Sequence, residues 1–206
     1  MEEEEFHYGI SAQVSLRLFG DDGERWVTPI KGFINFYDDE GEQLQVGRIS
    51  FFHIDLNSAT ENGWGSFDVL DHDQSTAPFI DIIQSIEDDD YDSFEHLFDD
   101  WSSNILVADR IEILPEHRNN GITAKVFDQM VRLFGSDCSL LLLKAFPLQH
   151  EPRRGDTYGD ISDWQKSLAL ENFETDQSSA LEHLTSYYER IGFTKFKTDG
   201  IMYKPI

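Results

Sequence analysis

Apolar and polar positions alternate through the first part of the chain with the two-residue period of half-buried strands. Tyr8 to Phe19 forms one such run, followed by a turn signal at Asp21 to Gly23. Two further apolar segments flank Asp38-Asp39-Glu40-Gly41 and predict an antiparallel hairpin. Gly47 breaks the alternation between Leu44/Val46 and Ile49/Phe51, which marks a β-bulge. From Ser66 to Ile86 the period becomes helical, through Phe67, Leu70, Phe79, Ile82, Ile83 and Ile86. Pro78 interrupts this stretch or starts its second piece. After the solvated acidic loop Asp88 to Asp92, Ser93 is placed to cap a short helix carrying Phe94, Leu97 and Phe98.

The second half reads as strand, helix, strand, helix, strand. Asn104 to Leu114 predicts a strand and Ile122 to Phe134 a helix, with Ile122, Val126, Met130 and Phe134 on one stripe. Gly135 stands where a glycine often ends a helix. Cys138 to Phe146 is almost continuously apolar, the mark of a strand covered on both faces. Residues 150 to 177 are polar and irregular, apart from a short helix around Trp164 to Leu170. A last helix starts near Ser179, where Ser179 and Glu182 form a capping-box pattern, and ends at Gly192. "FTKFK" and "IMYKPI" supply closing strands. The expected fold is α+β (mixed α/β), one domain over 1–206 with helices against a single sheet.

Composition fits this picture: 39% hydrophobic and 13% aromatic residues support a sizeable core. The longest uninterrupted apolar runs, such as Leu140 to Leu143, are far short of a membrane span. Met1 to Glu5 is acidic where a secretory signal would be basic and then apolar. The lone Cys138 has no internal disulfide partner and reads as a buried small hydrophobe. The expectation is a cytoplasmic protein with no membrane contact; a homodimer is compatible with the sequence.

Charge changes the picture more. The net charge of −24 argues against nucleic acid as a direct partner. Residues 1–109 hold 26 acidic and 4 basic residues, against 14 and 12 in residues 110–206. A solvated acidic surface or adaptation to high salt would produce this, as would a site for something cationic in the first half. "DHD" at Asp71 to Asp73 lacks a second pair at metal-ligand spacing, and Asp88 to Asp90 lacks the closing Glu of a calcium loop. No metal is expected.

The junction "PEHRNNGIT", Pro115 to Thr123, carries a strand into a helix. The first turn of a helix offers unpaired N–H groups and a partial positive charge. Gly121 removes the side chain that would keep a phosphate off them, and Arg118 can add a charged contact. By itself this loop is a weak signal. With its strand–Pro–loop–helix context, and with "LTSYYERIGF" from Leu184 to Phe193, it resembles the two-part signature of the GNAT family of N-acetyltransferases. The resemblance spans roughly residues 104–206, with residues about 151–177 as an insertion. Thr123 stands where a second Gly or Ala is usual, and Asn119 and Asn120 replace commoner Gly or basic residues.

The resemblance implies acetyl transfer from acetyl-coenzyme A to a small amine, with no metal. Arg118, Asn119, Asn120, Gly121, Ile122, Thr123 and Ala124 would meet the pyrophosphate. Backbone groups at Ile113 and Leu114 would hold the pantetheine arm and the oxyanion. Tyr188 matches the tyrosine expected to protonate the leaving thiolate; an ordinary helix aromatic is the competing reading. Asp109 is the implied base, with Glu112 its rival if a bulge shifts the strand, and with a plain ion pair to Arg110 as the alternative. The acidic first half then suggests a cationic acceptor. A module of this fold that binds coenzyme A without catalysis stays open.

Overall fold

The computed structural model describes residues 7–16, 23–87, 104–151, 163–197 and 200–206. Seven strands form one open sheet in the order β1-β2-β3-β4-β5-β7-β6. They are β1 (His7–Val14), β2 (Val27–Tyr37), β3 (Gln43–Ile54), β4 (Ile105–Ile113), β5 (Leu140–Lys144), β6 (Thr194–Phe196) and β7 (Ile201–Pro205). Every adjacent pair is antiparallel except β4 and β5, which are parallel. Parallel neighbours need a crossover, and α4 (Ile122–Phe134) supplies it. Because β3 pairs with β4 from Gly47 to Ile54, the acidic first half and the second half share one sheet.

Helices cover the two faces unequally. On one face, α1 (Leu56–Glu61), α2 (Ser66–Leu70) and α3 (Ile80–Glu87) bury Leu56, Val69, Leu70, Ile82 and Ile83 against Ile54, Ile105 and Val107. On the other face lie α4 and α6 (Gln177–Arg190), over Ile30, Ile34, Ile49, Phe51, Leu106 and Ala108. Phe127 of α4 meets Phe51 at 6.1 Å and Phe193 at 5.1 Å between ring centroids. Burying such a ring contributes about 2–3 kcal/mol. The Leu140–Leu143 run alternates between the two cores, which explains its unbroken apolar character.

The expected interruption at Gly47 is a real bulge, and a second bulge lies on β4. Ile34 pairs with Gly47 but Asn35 pairs with Gln45, so Val46 is the extra residue. A Cβ on Gly47 would lie 2.6 Å from the Glu112 carbonyl oxygen, so only glycine fits beside β4 there. On β4, Ala108 pairs with Phe51 and Arg110 with Ser50, which leaves Asp109 bulged out. The phase of β4 therefore changes at Asp109. Ile111 and Ile113 join Leu106 and Ala108 in the α4 core, while Arg110 and Glu112 turn to the opposite face.

Three helices differ from expectation in detail. Helix α1 carries only two apolar core positions, Leu56 and Ala59, too short a pattern to reveal a period. Asp176, not Ser179, caps α6: its carboxylate accepts from the Ser179 N–H at 2.8 Å, so the cap lies three residues earlier. Helix α4 does end at Gly135, but with φ −100° rather than the left-handed turn. The helix expected after Ser93 lies outside the described residues. Among the described residues no helix is long and apolar enough to cross a membrane.

Candidate functional site

Strands β4 and β5 stay paired only from Ile105/Leu140 to Ala108/Leu143. Beyond that point they part. The end of β4 remains with β3, through Ile113 opposite Gly47, while β5 follows β7, through Lys144 opposite Ile201. The bulge at Asp109 sits where the divergence begins. An open cleft of about 1540 Å³ enters this gap. It reaches both faces of the sheet: Phe127, Leu143 and Tyr188 line it on the α4 side, and Phe52, His72 and Phe79 on the α1–α3 side.

Two of the expected catalytic residues therefore meet in one cleft. Tyr188 is half-buried near the end of α6, its ring 6.2 Å from that of Phe127 and 5.8 Å from that of Phe193. Burial, with Tyr187 beside it, pushes its phenol above the ordinary value, so it remains a proton donor at neutral and mildly basic pH. Among the described residues its hydroxyl has no hydrogen-bond partner. Asp109 is exposed, lines the cleft and makes no side-chain hydrogen bond or ion pair among the described residues.

Its rival Glu112 is differently placed. It is buried, with Oε1 3.1 Å from Arg110 and Oε2 accepting from the Trp164 indole N–H at 2.7 Å. Arg110 also reaches Glu151 at 2.5 Å. Burial works against the charge on Arg110, but Glu151 and Glu112 outweigh it and raise its pKa. Glu112 thus belongs to a closed network, and Asp109 is the carboxylate left open to the cleft.

The expected phosphate loop lies outside the cleft lining, at the start of the helix that brings Phe127 to it. Ile122 is about 7.5 Å along the helix axis from Phe127. Gly121 caps α4 in the left-handed region, at φ 69°, and no side chain caps the helix. A Cβ there would meet nothing within 4 Å, and the first-turn N–H groups of Ile122, Thr123 and Ala124 have no intrahelical partner, as in any helix. Asn119 is also left-handed, at φ 66°, and both asparagines are exposed.

Arg118 does not project freely from this loop. Its Nε donates to the Ile113 carbonyl at 2.9 Å and its terminal nitrogen to the Leu168 carbonyl at 2.6 Å. Its guanidinium also stacks on Phe173. The Leu114 backbone is engaged as well: its N–H donates to Val46 and its carbonyl accepts from His117. Strand alternation therefore turns the backbone N–H of Ile113 away from β3, toward the gap side.

The cleft lining is mixed in charge. Among the described residues, Lys31, Arg48, Arg110 and Lys144 line it beside Asp73, Asp109, Glu112 and Glu151. The contributions of Lys31, Phe33, Arg48 and Trp164 had no local sequence signal, because strand register and a distant helix bring them in.

Metal-ligating groups converge elsewhere. His53, Asp137 and Cys138 offer donor atoms within 4.8 Å of one another, none of them in the cleft lining. Asp137 accepts from Asn104 at 2.9 Å and lies 3.0 Å from His53. Burial, reinforced by Asp137, pushes the Cys138 thiol up to about 12, which keeps it protonated. The group ties the end of β3 to the turn before β5.

No family model matches the chain, and neither a curated protein nor a solved structure matches it.

Proposed function

We propose that this chain is a GNAT-like N-acetyltransferase that moves an acetyl group from acetyl-coenzyme A to a primary amine. The observation that carries the reading is the gap between parallel strands β4 and β5, lined by both Tyr188 and the bulged Asp109. An amide-bearing arm ending in a thioester suits a slot between parted strands, where it can add to the free strand edge. The Ile113 N–H faces that side, and the first turn of α4, which no side chain caps, suits the pyrophosphate. With Arg118 engaged, backbone groups at Asn120 to Ala124 would do most of that binding.

The chemistry follows from these positions. The acceptor amine, with a pKa near 10.4 in its free form, must lose a proton before it attacks. Asp109 takes that proton through water. Nitrogen adds to the carbonyl carbon, the oxyanion is held by a backbone N–H of β4, and the carbon–sulfur bond then breaks. The departing thiolate takes its proton from the Tyr188 hydroxyl.

A second reading, a module that binds coenzyme A without catalysis, is favoured by the engaged Arg118 and the uncharged Asn119-Asn120 pair. One experiment separates the two. Melting is followed with acetyl-coenzyme A, and free thiol is then measured across a panel of primary amines. A raised melting temperature with amine-dependent thiol release supports the enzyme. A shift without turnover selects the module. No shift at saturating cosubstrate removes both.

A further inference from the structure

Helices α1–α3 cover only one end of their face of the sheet. The other end, on the cleft side, is a floor that no helix of this group covers among the described residues, and its side chains are set by register. Lys31 on β2 faces Ser50 on β3, which faces Arg110 on β4. One step along, Phe33 faces Arg48, which faces Glu112. Lys31 and Arg48 are thus diagonal neighbours, about 7–8 Å apart at the backbone, close enough for two long side chains to grip one group. All of these residues line the cleft.

The cations on this floor differ in what neutralises them. Arg110 is held by Glu112 and Glu151. Lys31 and Arg48 are exposed and, among the described residues, have no ion pair. Glu112 faces Arg48 across the strands, but its oxygens already serve Arg110 and the Trp164 N–H. Arg48 instead stacks on the Trp164 ring, 4.3 Å from its centroid. That contact orders the guanidinium and leaves its fork of donors unanswered, the arrangement that suits a planar anion. Phe33, 46% exposed between the two cations, offers an apolar surface for the chain linking such an anion to the rest of a ligand. In a protein of net charge −24, an unneutralised Lys–Arg pair on a cleft floor needs a reason.

We propose that Lys31 and Arg48, braced by Trp164, form a subsite for an anionic group of the acceptor, a carboxylate or a phosphate. The acceptor is then a primary amine that also carries an acid, with its amine toward Asp109 and its anion on the sheet floor. The acceptor assignment rests on the transferase reading; the anion subsite does not. The cationic acceptor suggested by overall charge becomes a zwitterionic one.

The test has two arms. In the first, the full chain is titrated with inorganic phosphate and, separately, with acetate at constant ionic strength, followed by tryptophan fluorescence. The same titrations are run on Arg48→Gln, Lys31→Gln and, as a surface control, Lys195→Gln, with circular dichroism to check folding. Saturable binding that weakens about tenfold or more in the first two variants and not in the control is expected. Because Lys31 is exposed, Lys31→Gln carries the test should Arg48→Gln misfold. Titrations that do not saturate, or that are equal in all four proteins, overturn the subsite. Stronger binding of phosphate or of acetate tells which acid the acceptor bears.

The second arm compares primary amines in pairs, with and without an acidic group, by thiol release from acetyl-coenzyme A. The acidic member should show a KM at least about tenfold lower, and Arg48→Gln should remove that preference. Turnover without the preference overturns the acceptor assignment and leaves the transferase. Anion binding without any turnover leaves the subsite and removes the transferase.

Discussion

The Trp164 indole nitrogen donates a 2.7 Å hydrogen bond to the buried carboxylate of Glu112, 52 residues earlier in the chain. This contact joins α5 (Asp163–Ser167) to the end of β4, and the same ring supports Arg48. One aromatic side chain therefore braces both a closed ion network and an open cation in the cleft.

Replacing Trp164 with Phe keeps a ring but removes the donor. Glu112 would then be left with Arg110 alone in a buried position. Trp164→Phe should lower stability by about 1–3 kcal/mol, measured from the midpoint of urea unfolding. A midpoint equal to that of the wild type would mean that the contact contributes nothing.

Tyr188→Phe should separate structure from chemistry. The phenol oxygen has no hydrogen-bond partner among the described residues, and the ring's packing on Phe127 and Phe193 survives the change. Melting should move by less than the equivalent of about 1 kcal/mol, while acetyl transfer falls by roughly 10²-fold or more through loss of the general acid. Unimpaired transfer would remove Tyr188 from the mechanism.

Gly121 and Gly63 form a matched pair for testing the loop. Both are left-handed, at φ 69° and 83°, and a Cβ on either meets nothing within 4 Å. Alanine at either position should cost about 1 kcal/mol through backbone strain alone. Only Gly121→Ala should also reduce the rise in melting temperature that acetyl-coenzyme A produces. Equal ligand responses in the two variants would show that the helix start is not the phosphate cradle.

Asp137 gives a pH signature. Burial works to raise its carboxyl, but hydrogen bonds from His53 and Asn104 outweigh that and hold it below the ordinary 3.8. A carboxylate with a depressed folded pKa stabilises the fold above its unfolded value and loses that contribution as pH falls through the folded one. Asp137→Asn should therefore melt below the wild type at about pH 5, with the gap shrinking as pH drops toward 3. A gap independent of pH across that window would mean that the carboxylate's charge is not what stabilises the pair.

Much of the fold could be read from periodicity because each helix and strand buries its own face. Ile122 to Phe134 is helical because its stripe packs under β4 and β5, and Leu140 to Leu143 is apolar throughout because it is covered twice. The bulge at Gly47 was legible too, as a break in alternation. The bulge at Asp109 was not, since polar Asp109-Arg110 blurs the period where it shifts. Arg118 shows the same limit. Its position in the loop suggested an anion contact, yet the carbonyls of Ile113 and Leu168 hold it, and Leu168 is 50 residues away.

The sequence by itself determined most of the elements, a glycine before α4 and a tyrosine late in α6, because these depend on local backbone preference and on one buried face at a time. Only the tertiary structure decided that β4 and β5 part beyond Ala108, that Asp109 rather than Glu112 is left open, and that Lys31 and Arg48 share a floor without an ion pair among the described residues. Those facts depend on strand register and on contacts between distant segments, where a shift of one residue turns a side chain to the other face.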